Sequence, residues 1–414
     1  MNIGFVSTRI AGVDGVSLEI EKWATVLTRL GHTCYFMAGE LATDPQRSLA
    51  VPTCHFQHPA IKAVHDAAFS GSTESRDLYR RIADLAGAIK AQLYAFVDTY
   101  HLDCIIPQNA QAIPMNIPLG VALRDFINET HIPTIGHHHD FYWERDRFLV
   151  NRIPDILRTA FPAEGTSIQH VVISTAMRQE LFIRRKLTAT YIPNVFDFAH
   201  PPAPPDEYSR GFRADFGIAE GDVLILQPTR IIRRKNIERA VELVELLQKS
   251  DDSRRYQLVV TGYAGDEGGT YFDWLQRFTV RTGITAQFIG ERVGQRGQTA
   301  DGSRTYGLWD IYPNADLVTY PSSYEGFGNA LIETLYFRIP LMTNAYHVYR
   351  ADIQPTGIQA IEIYEDVMPD TVEAVKALLN DPGKIAQVVE HNYQIGVEHF
   401  SYEVLQDRLV SLLP

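Results

Sequence analysis

Two glutamates, Glu325 and Glu333, flank a segment that runs from a predicted strand through a turn into a predicted helix. Residues 320–333 read Tyr-Pro-Ser-Ser-Tyr-Glu-Gly-Phe-Gly-Asn-Ala-Leu-Ile-Glu. The glycines let backbone N–H groups approach a ligand closely, and the N-terminus of a helix favours a bound phosphate. The two carboxylates can then meet different hydroxyl groups of one extended ligand. Taken alone, the segment is explained equally well by a capped helix with exposed acids.

Four cations lie close together in the loop after the first predicted strand of the second half of the chain. Residues 227–236 read Gln-Pro-Thr-Arg-Ile-Ile-Arg-Arg-Lys-Asn. At the end of a sheet these cations suit a diphosphate, because arginine can form two parallel hydrogen bonds to phosphate and lysine supplies a point charge. A solvated charged loop is the alternative for any single cation. Their position singles out Arg230 and Lys235 as phosphate ligands.

Three consecutive histidines, His137, His138 and His139, follow another predicted strand. Imidazoles are common zinc ligands, but neighbouring residues of an extended strand point to opposite faces of the sheet. All three side chains therefore cannot easily bind one ion. The sequence predicts no metal site here.

Short β-rich segments alternate with helical patterns almost from end to end, which predicts an α/β protein with parallel sheets. In the first half we expect strands at residues 2–6, 34–38, 104–106, 132–136 and 170–174. In the second half we expect them at residues 223–227, 258–261, 286–289, 317–320 and 340–343. Helices are expected between them, notably at 237–247, and again at 402–413. The Gly-, Arg- and Gln-rich segment 291–306 is predicted to be a mobile loop.

A proline-rich segment at residues 193–205 interrupts the periodic pattern and marks a domain boundary. We predict an N-terminal Rossmann-like domain at 1–198, a C-terminal one at 199–400, and a last helix at 401–414 that returns toward the first domain. Ligands of such open sheets bind at the carboxyl ends of the strands. We therefore expect the chemistry in a cleft shared by the two domains.

The composition excludes several classes of function. The 414 residues are 45% hydrophobic and carry a formal charge of -12, which argues against binding to nucleic acid or anionic lipid over a broad surface. The three cysteines match neither a disulfide framework nor a zinc ribbon, so buried free thiols are expected. No signal peptide or membrane-spanning segment is apparent, and we expect a soluble cytoplasmic protein.

The acidic and basic motifs together resemble the retaining, nucleotide-sugar-dependent glycosyltransferases of family four, which have the GT-B fold. Glu325 and Glu333 match that family's acidic pair, and Arg230 and Lys235 match its Arg and Lys five positions apart. Three further segments match its glycine loop, its first helix exit and its interdomain Pro-Asn motif. They are Gly-Val-Asp-Gly at 12–15, Gly-His-Thr at 31–33 and Pro-Asn-Val-Phe-Asp at 193–197.

The resemblance implies a role for each matched residue. Arg230 and Lys235 would hold the donor diphosphate, Glu333 the ribose hydroxyls, and Glu325 the donor sugar. His139 is the match to the family's active-site histidine and would contact the donor sugar near the reacting carbon. The expected catalytic residues are therefore His139, Arg230, Lys235 and Glu325.

Other positions are expected to bind substrate through the backbone. Gly15 would let the first loop close over the diphosphate, and Gly262 follows a strand where the chain either passes the nucleotide or makes an ordinary turn. Backbone amides facing the sugar and phosphate are implied for Gly326, Phe327, Gly328, Asn329, Ala330 and Leu331. No metal or other cofactor is implied.

Two departures from the family pattern bear on the site. The usual glycine after the diphosphate lysine is Asn236, which fits a helix N-cap. The long 291–306 segment lies where the family contacts the base, so the base, UDP- or GDP-type, stays open. A small polar or saccharide acceptor is expected. Six arginines of the first domain are candidates for an acidic acceptor group or for surface ion pairs: Arg76, Arg80, Arg81, Arg145, Arg147 and Arg152.

Three alternatives to hexosyl transfer remain. A sugar-nucleotide epimerase or hydrolase would turn over the donor alone, and a non-catalytic sensor of sugar nucleotides would bind it without turnover. A nicotinamide dehydrogenase is disfavoured, because the first loop has only Gly12 and Gly15 and lacks the Gly-x-Gly-x-x-Gly order.

Overall fold

Strands and helices alternate through both halves of the chain, as the apolar periodicity predicts. The computed structural model describes residues 1–12, 14–69 and 75–414. These form an N-terminal unit, Met1–Asn194 with Tyr402–Pro414, and a C-terminal unit, Val195–Ser401. The division follows Asn194, slightly before the sequence boundary at residue 198.

The N-terminal unit contains a seven-stranded parallel sheet in the order β3-β2-β1-β4-β5-β6-β7. Its strands are β1 (Asn2–Val6), β2 (Thr33–Ala38), β3 (Ser48–Ala50), β4 (Cys104–Pro107), β5 (Thr134–His138), β6 (Ile168–Val172) and β7 (Ala189–Tyr191). The strand order reverses between β1 and β4. That reversal opens the crevice in which doubly wound sheets bind ligands.

Seven helices connect these strands. They are α1 (Gly15–Arg29), α2 (Pro59–Phe69), α3 (Ser75–Tyr100), α4 (Ile117–Thr130), α5 (Asp146–Leu149), α6 (Pro154–Ala160) and α7 (Thr175–Arg185). Helix α1 shows how the sequence determines one of them. Asp14 caps it by accepting hydrogen bonds from the amides of Val16 and Ser17, Trp23 and Leu27 are buried against the sheet, and Gly31 ends it with a φ of +84°.

The C-terminal unit contains a six-stranded parallel sheet in the order β10-β9-β8-β13-β14-β15. Its strands are β8 (Val223–Gln227), β9 (Tyr256–Val260), β10 (Thr285–Phe288), β13 (Leu317–Tyr320), β14 (Leu341–Asn344) and β15 (Ile361–Ile363). The helices of this unit are α8 (Glu207–Asp215), α9 (Ile237–Ser250), α10 (Gly265–Thr282), α11 (Leu308–Ile311), α12 (Asn329–Tyr336), α13 (Pro369–Leu379) and α14 (Pro382–His399). The last helix, α15 (Tyr402–Val410), belongs to the N-terminal unit and packs against α1.

The prediction that residues 291–306 form a mobile loop without regular structure is wrong. A two-stranded antiparallel ribbon, β11 (Gly297–Gln298) and β12 (Arg304–Thr305), lies within this segment. Arg296 Nη1 lies 2.7 Å from Asp206 Oδ2, and Arg296 Nη2 lies 2.6 Å from Asp310 Oδ1. Arginines that composition assigns to a loop thus hold the ribbon by ion pairs with residues distant in sequence.

Two further expectations can be compared with the structure. Strand β5 ends at His138, two residues beyond the expected end, so two of the three histidines belong to the strand itself. The expectation of buried free thiols is confirmed for Cys34, Cys54 and Cys104, and burial raises the pKa of the Cys34 thiol to about 11. Among the described residues, no helix combines the length and the apolar character needed to cross a bilayer.

Candidate active site

The predicted phosphate-binding loop of the C-terminal unit follows β8, and the loop containing Glu325 follows the neighbouring strand β13. Lys235 Nζ contacts Glu325 Oε1, and both side chains are buried. Arg234 Nη1 donates to Glu325 Oε2 at 2.7 Å and to the carbonyl oxygen of Tyr324 at 2.8 Å. The fold therefore joins the basic and acidic motifs in one cluster at the carboxyl edge of the sheet.

The charges of this cluster depend on one another. Burial by itself raises the pKa of Glu325, but attraction to Lys235 and then to Arg234 outweighs burial and lowers the pKa to about 2. Burial lowers the pKa of Lys235, with contributions from Arg234 and Arg230, although Glu325 acts in the opposite direction. The carboxylate is ionised at neutral pH because two cations face it.

Gly262 has a packing role beside Arg230. A Cβ atom at Gly262 would lie 2.1 Å from the carbonyl oxygen of Thr229 and 2.5 Å from the Cα of Arg230. Such distances are far below van der Waals contact, so only glycine lets the loop after β9 pass this close to the phosphate-binding loop. Gly262 thereby helps to set the backbone position of Arg230, whose side chain is exposed.

Asn236 occupies the boundary of α9, but its side chain makes no capping hydrogen bond. Its φ of 47° lies in the left-handed region, which glycine and asparagine adopt more readily than other residues. The expected N-cap position of Asn236 is confirmed, although the backbone and not the side chain fills that role. The backbone conformation explains why asparagine can stand where the family pattern has glycine.

The glycine-containing turn before α12 leaves the helix N-terminus without a side-chain cap. Gly328, with a φ of +141°, is the N-cap residue, and a Cβ there would meet the hydroxyl of Tyr346 at 2.6 Å. That hydroxyl donates to the carbonyl oxygen of Phe327 at 2.6 Å and holds the turn in place. Gly326 precedes Phe327 and Gly328 in this turn, and the Phe327 side chain is buried.

The first turn of α12 differs at one position from the expected row of ligand-facing amides. The amide of Leu331 donates to the carbonyl oxygen of Gly328 at 3.0 Å, and the Leu331 side chain is fully buried. This amide serves the helix itself. Asn329 and Ala330, which open the helix and are partly exposed, are the positions best placed to present amides to an anion.

Glu333 lies further along the same helix and is 8% exposed. Tyr312, which follows α11, donates its hydroxyl to Glu333 Oε2 at 2.7 Å. Burial raises the pKa of Tyr312, and the neighbouring carboxylate of Glu333 raises it further, so the phenol stays a donor. Tyr312, which lies outside the Glu325 cluster, therefore helps to orient Glu333.

In the N-terminal unit, His139 is the first residue after β5. Its Nε2 lies 2.9 Å from Gln108 Nε2, and its backbone amide donates to Asn109 Oδ1 at 3.0 Å. Both partners follow the carboxyl end of the adjacent strand β4. Burial lowers the pKa of His139 to about 4 despite the nearby carboxylates of Asp140 and Asp14, so the imidazole is neutral at pH 7.

The other two histidines contact different neighbours. The His137 ring stacks on Trp23 of α1 with a centroid distance of 4.2 Å. His138 Nε2 lies 3.0 Å from His170 Nδ1 on β6. The pleat places His138 on one face and His137 with His139 on the other, where the ring centroids of His137 and His139 lie 4.7 Å apart. No group of three His, Cys, Asp or Glu side chains in residues 1–12, 14–69 and 75–414 is arranged to hold a metal.

The glycine loop of the first strand leads into the N-terminus of α1, where Gly15 is the first helical residue. Val13, also part of that motif, lies outside the described residues. Asp14 accepts a hydrogen bond from Arg9 Nη2 at 2.9 Å, and its charge acts on His139. The fold thus brings the glycine loop and His139 to the same edge of this unit's sheet.

The candidate acceptor arginines separate into different environments. Arg145 contacts the buried carboxylate of Asp140, the residue that follows His139. Arg80 pairs with Asp77 on the exposed surface of α3, and Arg147 lies over the Phe148 ring at 4.8 Å. Arg145 is the one of these three with a direct contact to the His139 segment.

Sequence reasoning missed Arg234 and Tyr312 as parts of the candidate site. Arg234 lies within the four-cation segment, so the sequence showed a cation at this position. It did not show that the Arg234 side chain faces Glu325. Tyr312 lies 21 positions before Glu333 in an apolar stretch, and only the packing of its ring reveals the contact. The one signal in the sequence was Glu333 itself, because a carboxylate on a buried helix needs a hydrogen-bond donor nearby.

Comparison with known proteins agrees with this geometry. The model of the family described as glycosyl transferases group 1 matches residues 210–394. The mannosylglucosylglycerate synthase of Thermotoga maritima is 30% identical, with 99% of this chain and 99% of that protein covered. The mannosylglucosylglycerate synthase of Petrotoga mobilis is 31% identical over 88% of this chain and 86% of its own length.

Solved structures show the same fold at low sequence identity. A glycosyltransferase from Rickettsia africae has a TM-score of 0.69 at 14% identity and covers 100% of this chain and 97% of its own. Anabaena HepE in complex with UDP-glucose has a TM-score of 0.68 at 14% identity and covers 100% and 99%. The predicted GT-B fold and the predicted glycosyltransferase class are confirmed. The chain has two Rossmann-like sheets, matches the family model and resembles one relative along nearly its whole length. It therefore belongs to the group 1 glycosyl transferases and is a GT-B hexosyltransferase.

Proposed function

We propose that this protein is a retaining, metal-independent hexosyltransferase that moves a hexose from a UDP- or GDP-linked donor to a small polar or saccharide acceptor. The observation that carries the proposal is the buried cluster of Arg234, Lys235 and Glu325 beside Arg230. One structural neighbour, Anabaena HepE, has been solved in complex with UDP-glucose and with UDP, which supports a nucleotide-sugar donor.

The names of the relatives narrow the proposal further. Two proteins similar along most of this chain are mannosylglucosylglycerate synthases. We therefore assign a mannosyl group as the transferred hexose and glucosylglycerate as the acceptor. The glycerate carboxylate needs a cation, and Arg145, in contact with Asp140 beside His139, is the candidate ligand.

The C-terminal unit would bind the donor. Arg230 and Lys235 offer positive charges to a diphosphate while Arg234 stays paired with Glu325, and the amides that open α12 add neutral donors. Glu333, oriented by Tyr312, would accept hydrogen bonds from the ribose, and Glu325 would accept them from sugar hydroxyls. This cationic set stabilises the leaving nucleoside diphosphate and supports transfer without a metal.

The N-terminal unit would supply His139, and Gly15 would let the first loop approach the diphosphate. A neutral imidazole with a pKa of about 4 can accept or donate a hydrogen bond at pH 7 without acting as a cationic acid. We assign His139 to a contact with the donor sugar near the reacting carbon. Gln108 and the Asn109 side chain fix the position of the ring.

We propose that the anomeric configuration is retained because the acceptor hydroxyl attacks the face of the sugar from which the leaving group departs. The bond between the anomeric carbon and the phosphate oxygen breaks, and the acceptor hydroxyl oxygen bonds to that carbon through an oxocarbenium-like transition state. The hydroxyl proton passes to the departing phosphate oxygen. No protein nucleophile takes part, so Glu325 remains a hydrogen-bonding carboxylate throughout.

The first experiment is thermal unfolding of the purified protein in EDTA with UDP, GDP, ADP or NAD added separately. A ligand at about 100 times its Kd should add about 2.7 kcal/mol of stability. We expect stabilisation by UDP or GDP and its loss in Glu333→Ala. Stabilisation by NAD alone would overturn the assignment.

Product analysis then tests the reaction. With a mannosyl donor and glucosylglycerate, NMR should show a new glycosidic bond of the same anomeric configuration as the donor. An inverted product or a trapped glycosyl-enzyme contradicts the mechanism. Donor turnover that no acceptor accelerates would instead indicate a hydrolase or epimerase, and binding without turnover a sensor.

A further inference from the structure

A surface cavity of about 670 Å³ lies within the N-terminal unit, and none of its lining residues is assigned to catalysis. Its lining includes Lys186, three residues before β7, and Glu164, four residues before β6. It therefore lies toward the amino ends of these strands. His139 and Gln108 follow the carboxyl ends of β5 and β4, at the other edge of the same sheet.

Five cations converge on this cavity from three helices and one helix end. Helix α4 contributes Arg124, α6 contributes Arg158, and α7 contributes Arg184 and Arg185, followed by Lys186. Glu164 is the single carboxylate of the lining. The negative end of the α7 dipole favours the last three cations but does not account for those from α4 and α6.

Three of the five cations have carboxylate partners. Arg124 pairs with Asp125, and it also donates to the hydroxyl of Thr159 at 2.8 Å. Arg158 pairs with Asp155, and Arg184 pairs with Glu180. The side chains of Arg158 and Asp155 are 72% and 73% exposed, so their pair is weak and easily exchanged for another anion.

The other two cations form no ion pair within the part of the chain that the structure describes. Arg185 Nη1 donates to the carbonyl oxygen of Phe161 at 3.3 Å, and Lys186 Nζ donates to that of Ile183 at 3.3 Å. Arg185 is half-buried, and burial lowers the pKa of its guanidinium. Tyr142 and the Glu164 carboxylate of the lining act against that shift, but Glu164 forms no ion pair with Arg185, so a bound anion would further stabilise this partly desolvated cation.

We propose that this cavity, lined by Arg124, Arg158, Arg184, Arg185 and Lys186, is a second ligand site that binds a small phosphorylated molecule. Guanidinium groups match the geometry of phosphate oxygens. A phosphate monoester carries close to two negative charges, which would balance the positive charges of Arg185 and Lys186. The volume falls in the range of small-molecule pockets and exceeds what a lone phosphate fills. The cavity shares no lining residue with the donor-binding cluster.

The test is calorimetric titration of the full chain, free of nucleotide, with glycerol 2-phosphate and with inorganic phosphate. We expect Arg185→Gln/Lys186→Gln to weaken binding at least about tenfold, because charge-assisted hydrogen bonds are lost. Lys235→Met, which alters the donor-binding cluster, should leave this binding unchanged. Tighter binding of glycerol 2-phosphate than of inorganic phosphate supports the proposal, and equal or tighter binding of inorganic phosphate would show a site for free phosphate only and would overturn it.

A matched control removes two cations outside the cavity. Lys62→Gln/Arg80→Gln loses the same charge from exposed ion pairs with Asp66 and Asp77, and should bind as the wild type does. The single variant Arg158→Gln, at an exposed side chain, should fold normally and bind about threefold more weakly. The proposal fails if the wild type does not bind, if Lys235→Met abolishes binding, or if the control double variant weakens binding as much as the cavity variant.

Discussion

Arg234 and Glu325, 91 positions apart in sequence, form an ion pair in which Arg234 Nη1 lies 2.7 Å from Glu325 Oε2. The opposite carboxylate oxygen of Glu325 contacts Lys235. A diphosphate drawing Lys235 away would leave Arg234 as the partner of Glu325. We therefore expect the second cation to keep the carboxylate ionised and oriented when the proposed donor binds.

Replacing Arg234 tests this positioning role. We expect Arg234→Gln to lower kcat/KM about 10- to 100-fold, or about 1.4 to 2.7 kcal/mol in the activation free energy, because Glu325 loses its lasting partner. Arg234→Lys should recover part of the activity. Steady-state kinetics measure both.

Arg233 provides the control for that experiment. It is the adjacent cation, exposed and 5.6 Å from the Tyr271 ring centroid, and it makes no ion pair with Glu325 in the described structure. Arg233→Gln should change kcat/KM by less than about threefold. Equal losses in Arg233→Gln and Arg234→Gln would mean that net charge, and no specific contact, governs activity.

Tyr312 should tune nucleotide affinity through Glu333. Tyr312→Phe removes a hydrogen bond to a carboxylate and is expected to raise the Kd for the nucleoside diphosphate about 5- to 10-fold, whereas Glu333→Ala should raise it more. Calorimetry with UDP and GDP measures the difference. Unchanged affinity in both variants would remove Glu333 from the ribose site.

His139 should act on turnover and leave nucleotide binding unaffected. We expect His139→Ala to keep the wild-type Kd for the nucleoside diphosphate and to lower kcat about 100-fold. Since its pKa is about 4, the wild-type rate should show no loss from protonation of His139 between about pH 6 and 8. Full activity of His139→Ala would refute the placement.

Buried histidines should make the N-terminal unit sensitive to acid. His170 is 6% exposed, and burial lowers its pKa from 6.5 to about 4. Below pH 6.5 the unfolded chain binds this proton while the folded chain does not, so the free energy of unfolding falls as pH decreases toward 4. One such histidine contributes about 1.4 kcal/mol per pH unit in that window.

Urea unfolding at about pH 7.5 and about pH 5 measures that slope. His170→Asn should flatten it, whereas His347→Gln, at an exposed position, should leave it as in the wild type. A slope unaffected by His170→Asn would show that other groups dominate the acid response.

Asn236 offers a test of backbone conformation. Asn236→Gly should leave the free energy of unfolding within about 0.5 kcal/mol, because glycine adopts the left-handed conformation freely. Asn236→Ala should cost about 1 kcal/mol, because alanine adopts the left-handed conformation, here at a φ of 47°, less readily than asparagine does. Chemical denaturation compares the two, and equal stability would contradict this explanation.

Local sequence determined the elements and the class of chemistry. Strand β8 and strand β13 have the predicted bounds because their apolar residues are buried on both faces of a parallel sheet. Lys235 and Glu325 follow those strands in the sequence. They were therefore expected at the ligand site, because ligands of such sheets bind at the carboxyl ends of the strands. These features depend on short-range periodicity and on strand connectivity.

Tertiary structure alone decided the contacts between distant segments. The direction of Arg234, the hydroxyl of Tyr312 on Glu333 and the ion pairs that order the 291–306 ribbon all join residues far apart in sequence. A strand pattern cannot show which of several neighbouring cations faces a carboxylate, because the side-chain rotamers and the packing around them determine that contact. The same holds for the cationic cavity, where separate helices bring together arginines that the sequence presents as unrelated surface charges.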